Sequence, residues 1–148
     1  MKIVHIRNDG TIAITTMAKK DVTQAELLEH AKELALKNPD YISHLLIEDT
    51  RLLEDRYFRN AWQHVDGSIS VHMDKAKKIH LDKLRDIRSI KFMNMGFPAR
   101  LNPQVENAIL DDETKLKLKE LRDFPQNLDL TAITDPDVLK NTIPDCLK

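Results

Sequence analysis

The sequence predicts an α+β fold: an N-terminal β-hairpin–helix–strand module followed by a helical hairpin and a short C-terminal helix. Three observations carry this. Two segments rich in Ile, Val and Thr flank the turn signal Asn8-Asp9-Gly10. Helix-start signals stand at Thr23 and at Thr134, each followed by acidic residues. From Met73 onward apolar residues recur at helical rather than alternating spacing.

The opening hairpin runs from Lys2 to Arg7 and from Thr11 to Thr16, with a turn in which Asp and Gly tolerate positive φ. Ile12 and Ile14 alternate with Thr11, Ala13 and Thr15, so one face of the second strand is expected to be buried, matched by Val4 and Ile6 on the first. Thr23-Gln24-Ala25-Glu26 fits a capping box, in which hydroxyl and carboxylate satisfy orphan amides. Leu27, Leu28, Ala31, Leu34 and Ala35 then form the apolar face of a helix that Asn38-Pro39 ends. A short buried strand is expected over His44 to Glu48, giving a three-stranded sheet covered by one helix.

Residues 51–72 read as a junction with Trp62, Tyr57 and Phe58, an Asp66-Gly67 turn and a strand at Ser68 to Val71. A long helix starts at Met73, with Met73, Ala76, His80, Leu84 and Ile87 on its buried stripe and Ile79 and Ile90 widening it. Gly96-Phe97-Pro98 breaks it. Asn102-Pro103 opens a second helix with Val105, Ile109, Leu116 and Leu121 as its stripe, Leu110 and Leu118 beside it, and Phe124-Pro125 as its stop. Asp111-Asp112-Glu113 offers a further N-terminus, which would split this segment in two. The last helix begins at Thr134-Asp135-Pro136-Asp137, with Pro in the first turn. The expected organisation is a small α/β module over 1–54, and an aromatic junction with the helical hairpin and terminal helix over 55–148.

Composition narrows the function classes. The 148 residues are 41% hydrophobic, 32% charged and 5% aromatic, a globular balance with a mostly aliphatic core. A lone cysteine, Cys146, excludes an internal disulfide framework and points to a reducing compartment, with a small side chain in a mobile tail as its plain reading. The N-terminus lacks the apolar core of a signal peptide, and no apolar run approaches the roughly 18 residues that span a bilayer, so neither export nor a membrane anchor is expected.

The net charge is −1, with no overall pull towards nucleic acid. It is unevenly placed: +5 over residues 71–100 and −4 over 101–148. The basic stretch offers Lys75, Lys77, Lys78, Lys83, Arg85 and Arg88 as a candidate basic face. Acids interrupt that run and no nucleic-acid recognition motif surrounds it, so a solvated helix face is its plain reading.

Catalytic and metal chemistry find no pattern. His5, His30, His44 and His64 lie in different elements, and no grouping has the spacing of zinc ligands. There is no Gly-x-Ser-x-Gly elbow, and the three glycines form no phosphate cradle. No cofactor, metal or catalytic residue is expected. Tyr57, Phe58, Arg59 and Trp62 are the candidate partner-binding residues, because aromatics and Arg anchor interfaces. The competing reading is that Trp62 pins the N-terminal module to the helices.

The run from Phe58 to Arg88 resembles a family of small virion and tail-associated proteins encoded in tailed bacteriophages and prophages. The shared pattern is an aromatic-Arg-x-Ala-Trp box, here Phe58-Arg59-Asn60-Ala61-Trp62, a short strand, and a Met-x-Lys-Ala-x-x-Ile-His run, here Met73 to His80. His72 stands where the pattern has an acidic residue. The likeness resumes at Leu118 to Pro125 and ends in Thr134 to Pro144, covering roughly residues 55–147. It implies a non-catalytic structural or tail-associated role, docking onto other virion proteins, located in the virion or in the host bacterial cytoplasm during assembly. Further copies of the chain count among such partners. Two other readings stand beside it: a tail or tail-fibre assembly chaperone that leaves the particle, and a nucleic-acid-binding accessory using the basic helix over 73–91.

Overall fold

The computed structural model describes residues 1–19, 21–49 and 52–148. The chain is α+β and divides into two compact units, Met1–Ala76 and Lys77–Lys148.

The first unit is built on a three-stranded antiparallel sheet in the order β2-β1-β3, formed by β1 (Lys2–Arg7), β2 (Ile12–Thr15) and β3 (Tyr41–Ile47). In the β1–β2 turn the Asp9 carboxylate accepts from the Thr11 amide at 2.9 Å and from its hydroxyl at 2.5 Å. Period-2 alternation sends successive side chains of β1 to opposite faces. Ile3 joins Leu27 and Ala31 of the helix α1 (Gln24–Lys37), whereas Val4 joins Ile12, Ile47, Trp62 and Ile69. β1 is therefore covered on both sides. Sequence patterning identified the Val4 face; the Ile3 face is buried as well because α1 lies over it.

The helix starts where expected. Thr23 accepts from the Glu26 amide, and the Glu26 carboxylate accepts from the Thr23 amide at 2.8 Å. Lys19, 2.5 Å away, and Thr23 hold Glu26 down to about 2, so the box keeps its charge at neutral pH.

β3 begins at Tyr41, earlier than the expected His44. The junction holds a second hairpin, β4 (Trp62–Val65) and β5 (Ser68–Val71), of which only β5 was expected. Asp66 and Gly67 both have positive φ, 50° and 79°, which makes a type I′ turn and matches the twist of a two-residue hairpin. Trp62 and Ile69 press this hairpin onto the Val4 face of the sheet. That packing places the junction strands in the first compact unit, whereas sequence organisation set a boundary at residue 54.

The helix α2 (Met73–Asn94) ends in a Schellman motif: Phe97 N–H donates to Phe92 O at 3.3 Å and Gly96 N–H to Met93 O at 3.0 Å. Gly96, at φ +72°, supplies the left-handed residue this requires. In the second unit α2 packs with α3 (Pro103–Ile109), α4 (Asp112–Asn127), α5 (Pro136–Asn141) and a 3₁₀ turn at Asp145–Leu147. The core joins Leu84 and Phe92 of α2 to Leu118, Leu121 and Phe124 of α4 and to Leu147. Arg122 ties α3 to α4 through both Glu106 carboxylate oxygens, at 3.1 and 3.0 Å. Fully buried His80 donates from Nε2 to Thr142 O at 2.9 Å.

Several expected stripes are displaced. The buried residues of α2 are Ala76, His80, Leu84 and Phe92, while Ile87 and Ile90 are exposed. Leu118, Leu121 and Phe124 are buried on α4, while Val105, Ile109 and Leu116 are exposed. The split at Asp111 is real, since its carboxylate caps α4 by accepting from the Thr114 amide at 2.8 Å. Phe124-Pro125 does not stop α4, which runs on to Asn127. Burial of Phe124 holds the helical course through the proline. Cys146 lies in the 3₁₀ turn packed against the core rather than in a loose tail.

Candidate functional site

The aromatic box is divided between core and surface. Trp62 is 2% exposed and Phe58 4%, so neither offers a face to a partner. Their positions follow from local geometry. A 3₁₀ turn at Arg59–Ala61 ends directly in β4, and the Ala61 carbonyl accepts from the His72 amide at 2.8 Å. This turns the Trp62 ring onto the sheet and leaves Arg59 exposed. Tyr57 is half-buried and packs edge-on against Phe58, ring centroids 4.7 Å apart. Of the four residues expected to bind a partner, Arg59 and part of Tyr57 remain accessible.

The basic face is largely engaged within the chain. Lys75 holds the Asp9 carboxylate at 2.6 Å and the Asp9 carbonyl at 2.8 Å. This contact, with the two Thr11 hydrogen bonds, keeps the Asp9 carboxyl well below the usual carboxylate range. Lys77 donates to the Thr131 carbonyl at 2.8 Å, and Arg85 pairs with Asp82 at 2.9 Å. Arg88 lies over the Phe124 ring, 5.6 Å from its centroid. Lys78 is exposed and Lys83 half-buried. The six cations thus do not form one free stripe.

The histidines are closer than their sequence positions suggest. Antiparallel pairing sets His5 opposite His44, ring centroids 6.4 Å apart, and His5 stacks on Tyr41 at 4.4 Å. Among the described residues no three His, Cys, Asp or Glu side chains are placed to hold a metal ion. No described helix is long and apolar enough to cross a membrane.

A cavity of about 700 Å³ in the second unit is lined by Lys91, Met95, Thr114, Lys117, Leu121 and Cys146, among others. Burial pushes the Cys146 thiol up, so it stays protonated at neutral pH and is a poor nucleophile. Lys117, which also lines the cavity, is raised by its 2.6 Å contact with Glu113 and stays charged.

The surface feature that sequence analysis missed is apolar. Ile87, Ile90 and Met93 recur every three residues on α2, with Ile90 at 54% and Met93 at 74% exposure. Their spacing puts them on one side of the helix. Leu84 and Phe92 of the same helix are buried in the core, so α2 carries apolar residues both inside and outside it. Val105 and Ile109 make a similar exposed pair one turn apart on α3. Sequence spacing signalled an apolar surface on α2 but could not tell which residues the core would take.

Comparison with protein-family models, with curated proteins and with solved structures finds no match for this chain.

Proposed function

We propose that the chain is a non-catalytic docking protein, a structural or tail-associated component of a tailed-bacteriophage particle that binds other virion proteins. The observation that carries the docking role is the uncovered row Ile87-Ile90-Met93. An exposed apolar row at helical spacing marks a surface for another protein. Its partner is a virion protein presenting an apolar groove or helix. The phage assignment rests on the likeness of Phe58 to Trp62 and of Met73 to Arg88 to the family pattern. The chain acts in the virion, or in the host cytoplasm during assembly.

The test is the double substitution Ile90→Lys, Met93→Lys. Both sites are exposed, so circular dichroism and the thermal midpoint should match the parent protein. Purified particles assembled with the variant should contain far less of it. Equal copy number of variant and parent in the particles overturns the role of this row. Absence of the parent protein from particles, with binding to a tail subunit retained, favours the chaperone reading instead. The nucleic-acid reading is weakened by the internal engagement of Lys75, Lys77, Arg85 and Arg88.

A further inference from the structure

The first unit holds a small recess that the apolar row does not involve. Its volume is about 170 Å³, and Arg7, Arg59, Asn60, Trp62, Ile12 and Ile14 wall it. Arg7 closes β1 and Arg59 opens the 3₁₀ turn, so the hairpin packing described above is what brings them to one recess.

Three features give the recess its chemistry. Among the described residues no carboxylate lies within ion-pair distance of either guanidinium. Among the described residues, the Arg7 guanidinium donates only a long 3.4 Å hydrogen bond, to the Thr11 hydroxyl. The Trp62 indole lines the recess with its own N–H closed to solvent. Two cations lining one small recess favour an anion there. Such a wall is rich in donors and lacks a matching charge, and planar guanidinium forks suit oxyanions in particular.

We propose that this recess is a binding site for a single oxyanion of the carboxylate or phosphate class, held by Arg7 and Arg59 beside the Trp62 indole. The Arg-x-Ala-Trp part of the box then has two tasks: Trp62 holds the β4–β5 hairpin on the sheet, and Arg59 faces the anion. The recess belongs to the first unit, and Ile90 and Met93 of the docking row belong to the second.

The chain has one tryptophan, so its indole N–H gives a single assignable signal in a ¹H–¹⁵N spectrum of the intact protein. The protein is titrated with inorganic phosphate and, separately, with acetate, at constant ionic strength balanced by chloride. A saturable shift of the indole signal is expected with at least one of them, and the anion that saturates at lower concentration identifies the class. Arg59→Gln and Arg7→Gln should each weaken the response by about tenfold or more, the factor expected for a lost charge-assisted hydrogen bond. The remaining amide spectrum reports whether each variant stays folded. No saturable shift with either anion, an equal shift with chloride, or parental affinity in both folded variants overturns the assignment. Wild-type anion affinity in the Ile90→Lys, Met93→Lys protein is expected whether or not that protein still docks.

Discussion

His5 sits fully buried in the first unit, and among the described residues neither ring nitrogen has a hydrogen-bond partner. Burial lowers its pKa, and the neighbouring His44 and His30 lower it further. The folded chain therefore favours neutral His5, while an unfolded chain takes up its proton near the ordinary value of about 6.5. Stability contributed by the neutral ring is present above that value and falls away as pH drops through and below it. Thermal midpoints at pH 7 and pH 5 should show this loss, and His5→Leu should shrink the difference. At neutral pH His5→Leu should also stabilise by about 1 kcal/mol, because it removes unsatisfied buried polar atoms. Trp62 makes the opposite case: Trp62→Ala should destabilise by about 3–5 kcal/mol in urea unfolding, as expected for a core aromatic. Neither environment was legible in the sequence. Trp62 meets Val4 and Ile12, and His5 meets His44, through pairings between segments distant along the chain. The Thr23–Glu26 box was legible because its hydrogen bonds close within four residues.

At the scale of elements, local punctuation was legible and partner choice was not. The Asp66-Gly67 turn and the Gly96 stop are set by backbone conformations that few other residues adopt, and both occur where the sequence put them. The stripes of α2 and α4 were ambiguous because each helix has more apolar residues than one contact face can bury. The core took Phe92 and Phe124 and left Ile90 and Leu116 outside. Pro125 shows tertiary packing overriding local preference. Phe124 is buried on one side of it, and the Leu128 amide still donates to the Phe124 carbonyl at 2.9 Å. A proline costs a helix its i−4 hydrogen bond and crowds the preceding turn. Pro125→Ala is expected to raise stability by about 1 kcal/mol, readable as a higher urea midpoint with unchanged slope. A lower midpoint would mean that the proline is needed to direct the chain out of α4.

At the scale of the whole molecule, the α+β class followed from the order of periodicities, strands first and helices after. The division into units at Ala76 and Lys77 did not, because the junction looks like a linker in sequence and becomes part of the first core only through Trp62 and Ile69. Charge distribution also misled at this scale. The excess over residues 71–100 looked like a face for polyanions, yet several of its cations close contacts inside the chain. A filter-binding salt series with duplex DNA should accordingly show no tight binding with a steep salt dependence. The proposed docking role requires that α2 keep its apolar row free for another virion protein. Quantifying Ile90→Lys, Met93→Lys protein in purified particles against the parent tests it most directly. A folded variant largely missing from the particles is expected. A folded variant present at the parental copy number would contradict it.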